Sequence, residues 1–240
     1  VTHPDKWSPQ GGVVSPCLSN VFLHYVLDEW FEREVQPRLK GRSFLIRYAD
    51  DFVMGFTCEE DARRVMDVLP KRFEKYGLMI HPEKTRLVPF ERPSGDRDGA
   101  TSEARTPPGT FDLLGFTHYW ARSRNGNWVV KRKTSGSRFS RGLKALSEWC
   151  RLNRHHPIED QHRTLSPKLV GHFAYYGITG NSMALVRFRN AATWIWKRWR
   201  SRRRRRGGRM TWDRLNRLLK RTPLPPAIAV HSVCRPVAVT

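Results

Sequence analysis

The sequence predicts an α+β protein in which an antiparallel sheet with helices comes first and a helical bundle follows. Three observations predict it. Ser43 to Phe56 alternates in side-chain character on both sides of an aspartate pair. From Thr134 onward, apolar residues recur at helical spacing. The charge divides in the same way. Residues 1–90 carry 13 Lys+Arg and 13 Asp+Glu, whereas residues 91–240 carry 31 and 9, so the whole formal excess of +22 lies in the later part. A neutral part joined to a basic part suggests chemistry in the first and polyanion holding in the second.

At 240 residues the chain is long enough to bury a substantial core, as one large domain or two small ones. No apolar run approaches about 18 residues, so no membrane span is expected. The start has no signal-peptide pattern. Cys17, Cys58, Cys150 and Cys234 are scattered without a C-x-x-C pair, which suits reduced thiols in a cytoplasmic protein and disfavours a zinc knuckle. The polyanion is then expected to be nucleic acid.

Val1 to Pro9 reads as the tail of something already under way, as a fragment, a processed product or an expression product would show. Gln10-Gly11-Gly12 follows; paired glycines let a backbone approach a ligand, and they equally suit a plain turn. Leu18, Val21, Phe22, Tyr25 and Val26 recur at helical spacing, and Glu29 and Arg33 stand four apart. An amphipathic helix is expected to about Val35, stopped by Pro37.

Next comes the central stretch, SFLIRYADDFVMGF. Phe44, Ile46 and Tyr48 alternate with Leu45, Arg47 and Ala49, and Phe52, Met54 and Phe56 resume the pattern, which predicts two strands. Asp50 and Asp51 fall at the turn between them. Two carboxylates at a hairpin tip can fix divalent metal ions, and the same pair also suits an ordinary polar turn.

Thr57 and Glu60 have the spacing of a capping box, and Ala62, Val65, Met66, Leu69 and Phe73 form one helical stripe. Pro70 is expected to kink or divide this helix and Gly77 to end it. Gly77 to Phe90 reads as a turn or short strand, a Pro-led bend containing Lys84, and a further strand; Lys84 in isolation reads as a solvated lysine. Residues 91–110 read as a mobile loop or linker. FDLLGFTHY, Phe111 to Tyr119, predicts a strand containing Gly115, and Asn125-Gly126-Asn127 predicts a turn into a return strand from Trp128.

Four helical faces follow. They are Phe139, Leu143, Leu146 and Trp149; Leu165, Leu169, Phe173 and Tyr176; Leu185, Phe188, Ala192, Trp196 and Trp199; and Trp212, Leu215, Leu218 and Leu219. Such stripes can bury one another in a small bundle. The tail 223–240 is expected to be irregular. The third helix runs into Lys197, Arg198, Arg200 and then Arg202, Arg203, Arg204, Arg205 and Arg206. Arginines interleaved with Trp194, Trp196 and Trp199 suit phosphate and base contact; a solvated tail or an import signal is the alternative.

Taken in order, PQGGVVSP (Pro9 to Pro16), YADDF (Tyr48 to Phe52), GLMIHPEKT (Gly77 to Thr85) and LLGF (Leu113 to Phe116) resemble consecutive blocks of reverse transcriptases. The helical remainder, with GHFAYYGITGN (Gly171 to Asn181), is similar to the thumb or maturase domain of group II intron-encoded proteins. The resemblance implies a partial right-hand polymerase palm over 1–120, a helical thumb/maturase RNA-binding domain over 121–222, and RNA-directed DNA polymerisation by two-metal nucleotidyl transfer to a primer 3′-hydroxyl.

Under this resemblance Asp50 and Asp51 hold Mg²⁺. Gln10, Gly11, Gly12 and Lys84 contact the incoming nucleotide, and Leu114, Gly115 and Phe116 form the primer grip. The basic residues from Lys197 to Arg206 hold RNA template, intron RNA or DNA primer. The family has a further metal-binding aspartate in an earlier strand, and Asp5, followed by Lys6 and Trp7, lacks that setting. The isolated chain is therefore expected to polymerise feebly or not at all unless a reverse transcriptase fragment is joined to it or supplied in trans. An RNA-binding maturase-type splicing factor and an inactive remnant are the alternatives.

Overall fold

The computed structural model describes residues 14–93, 109–202 and 210–231. It combines helices with small antiparallel sheets, consistent with an α+β protein. The chain divides into two compact units, Val1–Glu91 and Arg92–Thr240.

In the first unit, helix α1 (Ser15–Leu23) continues through π-helical turns at His24–Asp28 and Phe31–Val35 and a 3-10 turn at Gln36–Arg38. Pro16 occupies its first turn, where no intrahelical N–H bond is lost. Ser15–Leu23 buries no residue, and burial begins within the first π turn. The expected stripe begins at Leu18, yet Leu18 is 64% exposed and Val21, Phe22 and Tyr25 are also exposed. Of that stripe Val26 is buried, together with Leu27, Trp30 and Phe31. Each wide turn holds an extra residue, so a 3.6-residue stripe does not carry through. The expected Glu29–Arg33 pair forms at 3.0 Å.

Strands β1 (Ser43–Tyr48) and β2 (Asp51–Phe56) form an antiparallel hairpin, with Tyr48 opposite Asp51. The period of two sends Leu45, Phe52, Met54 and Phe56 onto the core built by Val26, Leu27, Trp30 and Phe31. Phe44 and Ile46 lie on the other face and are exposed. Helix α2 (Glu59–Glu74) closes the core with Leu69 and Phe73.

Three expectations fail here. Cys58 is the N-cap of α2 without a side-chain cap bond, and Glu60 pairs with Lys40 at 3.0 Å rather than closing a capping box with Thr57. Asp61 supplies a different constraint: it is buried, and its Oδ2 accepts the backbone N–H groups of Lys40 and Gly41, both at 2.9 Å, which fixes the entry to β1. Secondly, of the kink or division expected at Pro70, the division does not occur: α2 runs through Pro70 as one helix. Pro70 lies in its last turns, with Leu69 and Phe73 buried on either side. Thirdly, residues 78–93 form no strand. Leu78 and Ile80 reach the core as side chains, without a ladder to join.

The second unit opens with the meander β3 (Phe111–Leu113), β4 (Phe116–Arg122) and β5 (Trp128–Thr134). The expected single strand across Phe111–Tyr119 is thus two strands with a turn at Leu114–Gly115. Helices α3 (Gly136–Leu152), α4 (Ile158–Tyr176), α5 (Ser182–Ser201) and α6 (Trp212–Arg221) follow. Leu146, Leu165, Leu169, Phe173, Leu185, Phe188 and Trp196 form one core, as the four stripes imply. Burial in it pushes the Cys150 thiol up to about 12.

Asn181 joins sheet to bundle. It is buried, accepts from the Thr134 N–H at 3.0 Å, and donates to Thr134 Oγ1 at 2.8 Å and to the Tyr176 carbonyl at 2.9 Å. The described part of the tail, to His231, is irregular but docked. Leu224 is buried, and Arg189 donates to the Pro225 carbonyl at 3.0 Å. Among the described residues no helix is long and apolar enough to cross a membrane.

His172 stacks on Phe188 with ring centroids 3.6 Å apart, and its Nε2 is buried without a hydrogen-bond partner among the described residues. Burial disfavours the charged ring and lowers its pKa from 6.5 to about 4. Between those values the unfolded chain binds a proton that the folded chain refuses. The contribution of this group to stability is therefore complete above pH 6.5 and is lost as pH falls toward 4. His172→Phe keeps an aromatic ring against Phe188 and removes the titration. In paired thermal melts from about pH 7 to about pH 4.5, the wild type loses Tm relative to His172→Phe. A constant difference between the two contradicts the assignment.

Candidate active site

The hairpin tip in the first unit is a two-residue turn, Ala49–Asp50, between Tyr48 and Asp51. Ala49 sits at φ 53°, a left-handed conformation that side chains disfavour. Asp50 does not share the positive φ, so the turn is of the kind with one left-handed residue at its first central position. This geometry matches the twist of the strands and places two consecutive carboxylates at the end of a hairpin whose inner face is anchored in the core.

Asp50 and Asp51 are exposed, and among the described residues neither carboxylate has a hydrogen-bonding or cationic partner. Unpaired carboxylate oxygens on an anchored tip are hard donors of the type that Mg²⁺ takes. They fit such an ion as part of its shell. No group of three or more His, Cys, Asp or Glu residues is placed for a metal among the described residues.

Arg47 holds the tip from beneath. Its guanidinium donates to both Asp28 oxygens, Nε to Oδ1 at 2.8 Å and Nη2 to Oδ2 at 2.7 Å. Nη1 also donates to Asn20 Oδ1 at 3.0 Å and to the Ala49 carbonyl at 2.9 Å. The hydrogen bond from Arg47 holds the Asp28 carboxyl below the usual carboxylate range, against the opposing effect of burial, and the same bond raises the pKa of Arg47. Sequence reasoning missed this pair. The residues lie 19 apart, and Asp28 reaches Arg47 from the end of the first π turn, which apolar periodicity does not reveal.

Lys84 lies on the turn at 82–84, exposed, and no hydrogen bond or ion pair among the described residues joins it to Asp50 or Asp51. Gln10, Gly11 and Gly12 lie outside the described residues, as do Arg203, Arg204, Arg205 and Arg206.

In the second unit, Leu114 and Gly115 both have positive φ, 51° and 77°, and so form the tight turn between β3 and β4. Helix α4 grips it. Tyr175 donates its hydroxyl to the Leu114 carbonyl at 3.1 Å, and Phe116 lies parallel to the Tyr175 ring at 6.1 Å and edge-on to Tyr176 at 5.3 Å. A Cβ on Gly115 would meet the Tyr176 hydroxyl at 3.0 Å.

The basic end of α5 is only partly as expected. Trp196 is fully buried and donates to Gln161 Oε1 at 2.9 Å, and Trp199 donates to Ser147 Oγ at 3.0 Å. Trp196 therefore belongs to the core and offers no ring to a base. Trp194 and Trp212 are exposed. Cations cover three indoles: Arg198 over Trp194 at 5.3 Å, Lys197 over Trp212 at 4.6 Å and Arg202 over Trp199 at 4.9 Å. Arg200 is partly buried.

Residues 4–118 match the family model for reverse transcriptase (RNA-dependent DNA polymerase). Over this span the chain is similar to a reverse transcriptase domain. The span includes Gln10–Gly12, Asp50, Asp51, Lys84 and Leu114–Phe116, ends within β4, and excludes the basic run from Lys197. The family implies nucleotidyl transfer from deoxynucleotides on a nucleic-acid template. No curated protein matches the chain.

Gly115→Ala is expected to cost about 1–2 kcal/mol, from the left-handed backbone alone, with Tyr176 also displaced. Urea unfolding measures it. A variant as stable as wild type contradicts the turn geometry described for Leu114–Gly115.

Proposed function

We propose that this chain is the part of a group II intron-type RNA-directed DNA polymerase that carries the acidic hairpin and holds nucleic acid. The observation carrying the proposal is the Asp50–Asp51 pair, its carboxylates exposed and without partners among the described residues, at the tip of a hairpin anchored in the core and within a span matching the reverse transcriptase family.

Asp50 and Asp51 would hold Mg²⁺, which in such enzymes activates a primer 3′-hydroxyl and offsets charge on the departing pyrophosphate. The remaining roles belong to this chain's own residues. Gln10, Gly11 and Gly12 line the incoming nucleotide. Lys84, exposed and without a carboxylate partner among the described residues, offers its cation to phosphate. Leu114, Gly115 and Phe116, braced by Tyr175 and Tyr176, set the primer end. Lys197, Arg198, Arg200 and Arg202–Arg206 hold the backbone of RNA or of a DNA primer. A further acidic ligand is supplied by a reverse transcriptase segment joined to this chain or acting in trans.

A second reading, an RNA-binding maturase-type splicing factor, is favoured by the charge: 31 basic against 9 acidic residues beyond position 90. The test separates them. Primer extension on an RNA template with Mg²⁺ is measured for the chain supplemented with an upstream reverse transcriptase segment, alongside RNA binding over a range of salt. Asp50→Asn/Asp51→Asn is expected to lower extension by about 100-fold or more, the scale on which loss of one charge-stabilising group acts. RNA binding and its salt slope should be unchanged. Extension equal in the variant and wild type refutes the polymerase reading. Steeply salt-dependent RNA binding without extension by either protein establishes the maturase-type reading.

A further inference from the structure

We infer that Arg47, oriented by Asp28, is a positioning residue for the Asp50–Asp51 tip: it fastens a strained turn to helix α1 so that both carboxylates present one fixed arrangement to a divalent cation. This rests on the metal-holding reading of the pair given above.

Three features of the molecule carry the inference. Ala49 stands at φ 53°, where a glycine would be unstrained and an alanine is not. A two-residue turn with a strained residue drifts unless its backbone is held from outside the turn. The Arg47 Nη1 at 2.9 Å from the Ala49 carbonyl supplies that hold directly, at the residue preceding the acid pair.

The guanidinium is itself immobilised. Asp28 takes two of its N–H groups in the planar, bidentate geometry that only arginine offers, and Asn20 Oδ1 takes another. The Arg47 side chain is 13% exposed, far less than those of the pairs Lys40–Glu60 and Arg63–Glu59. Paired surface charges contribute little, whereas a fixed and largely desolvated fork retains its geometry. Asp28 also receives His24 Nδ1 at 3.4 Å, so the carboxylate is fixed from its own helical turn as well.

Finally, Asp28 closes the His24–Asp28 π turn. Within that turn Asp28 bonds to Arg47 of β1 while Leu27 is buried in the core. The π turn, the fork and the left-handed alanine thus form one connected support beneath the acid pair.

The positioning role and a purely electrostatic one differ in sign. An arginine acting only through its charge repels a cation, so removing it tightens metal binding. An arginine that positions the ligands does the reverse. Mn²⁺ serves as the probe, and its binding to the full chain is followed by electron paramagnetic resonance. Asp50→Asn/Asp51→Asn defines the background, and circular dichroism confirms that each variant is folded.

Arg47→Lys keeps the charge and loses the fork. It is expected to weaken the Asp50/Asp51-dependent Mn²⁺ binding by about tenfold or more, as loss of supporting partners around a metal ligand does. Asp28→Asn, which keeps the guanidinium but weakens its hold, should weaken binding in the same direction and by less. Where Arg47→Lys does not fold, Arg47→Gln decides: it removes the charge with the fork, so it weakens binding if Arg47 positions the ligands and tightens it if Arg47 acts through charge alone. Wild-type affinity or tighter in the deciding variant overturns the positioning role while leaving the metal site standing. A wild type with no more binding than Asp50→Asn/Asp51→Asn overturns the metal-holding reading instead, and the inference with it.

Discussion

A left-handed alanine in a two-residue turn is held in place by one guanidinium, and the proposed chemistry of the first unit depends on that hold. The Ala49 carbonyl is bound by Arg47, and Arg47 is fixed by Asp28 and Asn20. Without the turn, Tyr48 and Asp51 would not stand opposite one another and the two carboxylates would not share a tip. The core beneath makes this support rigid. Leu45, Phe52, Met54 and Phe56 are anchored among Val26, Leu27, Trp30 and Phe31, so the hairpin cannot slip register without turning its apolar face outward.

The second unit solves a similar problem by a different route. The Leu114–Gly115 turn uses glycine for one of its two left-handed positions, and aromatic rings from α4 hold it from outside. Asn181 then ties the end of β5 to the helix carrying those rings through three hydrogen bonds. Both turns sit in the span similar to reverse transcriptases, and both are braced by a helix distant in sequence.

The hairpin was legible because a period of two is a strong signal and the acids interrupted it at the only place a turn could form. The four helical stripes of the bundle were legible for the same reason, since each places its large apolar residues on one face. The α1 face was not, because no residue of Ser15–Leu23 is buried and burial starts only at Val26 and Leu27, within the first π turn. Nor was the start of α2, where Asp61 turns back to the Lys40 and Gly41 N–H groups and Thr57 and Glu60 leave the capping box unformed. The acids of the candidate site could be read directly, while their support could not. The choice of Asp28 as partner for Arg47 is made by helix winding and by strand register together, and neither is written in local composition.

The chemistry proposed for the first unit requires Asp50 and Asp51 to act together as ligands of a divalent cation. Anomalous diffraction from crystals of this chain grown with Mn²⁺ tests it most directly. A manganese peak is expected at the hairpin tip, with carboxylate oxygens of Asp50 and Asp51 at a bonding distance of about 2.1 Å and water filling the rest of the shell. Manganese bound only elsewhere, with both carboxylates left in solvent at saturating metal, would contradict it.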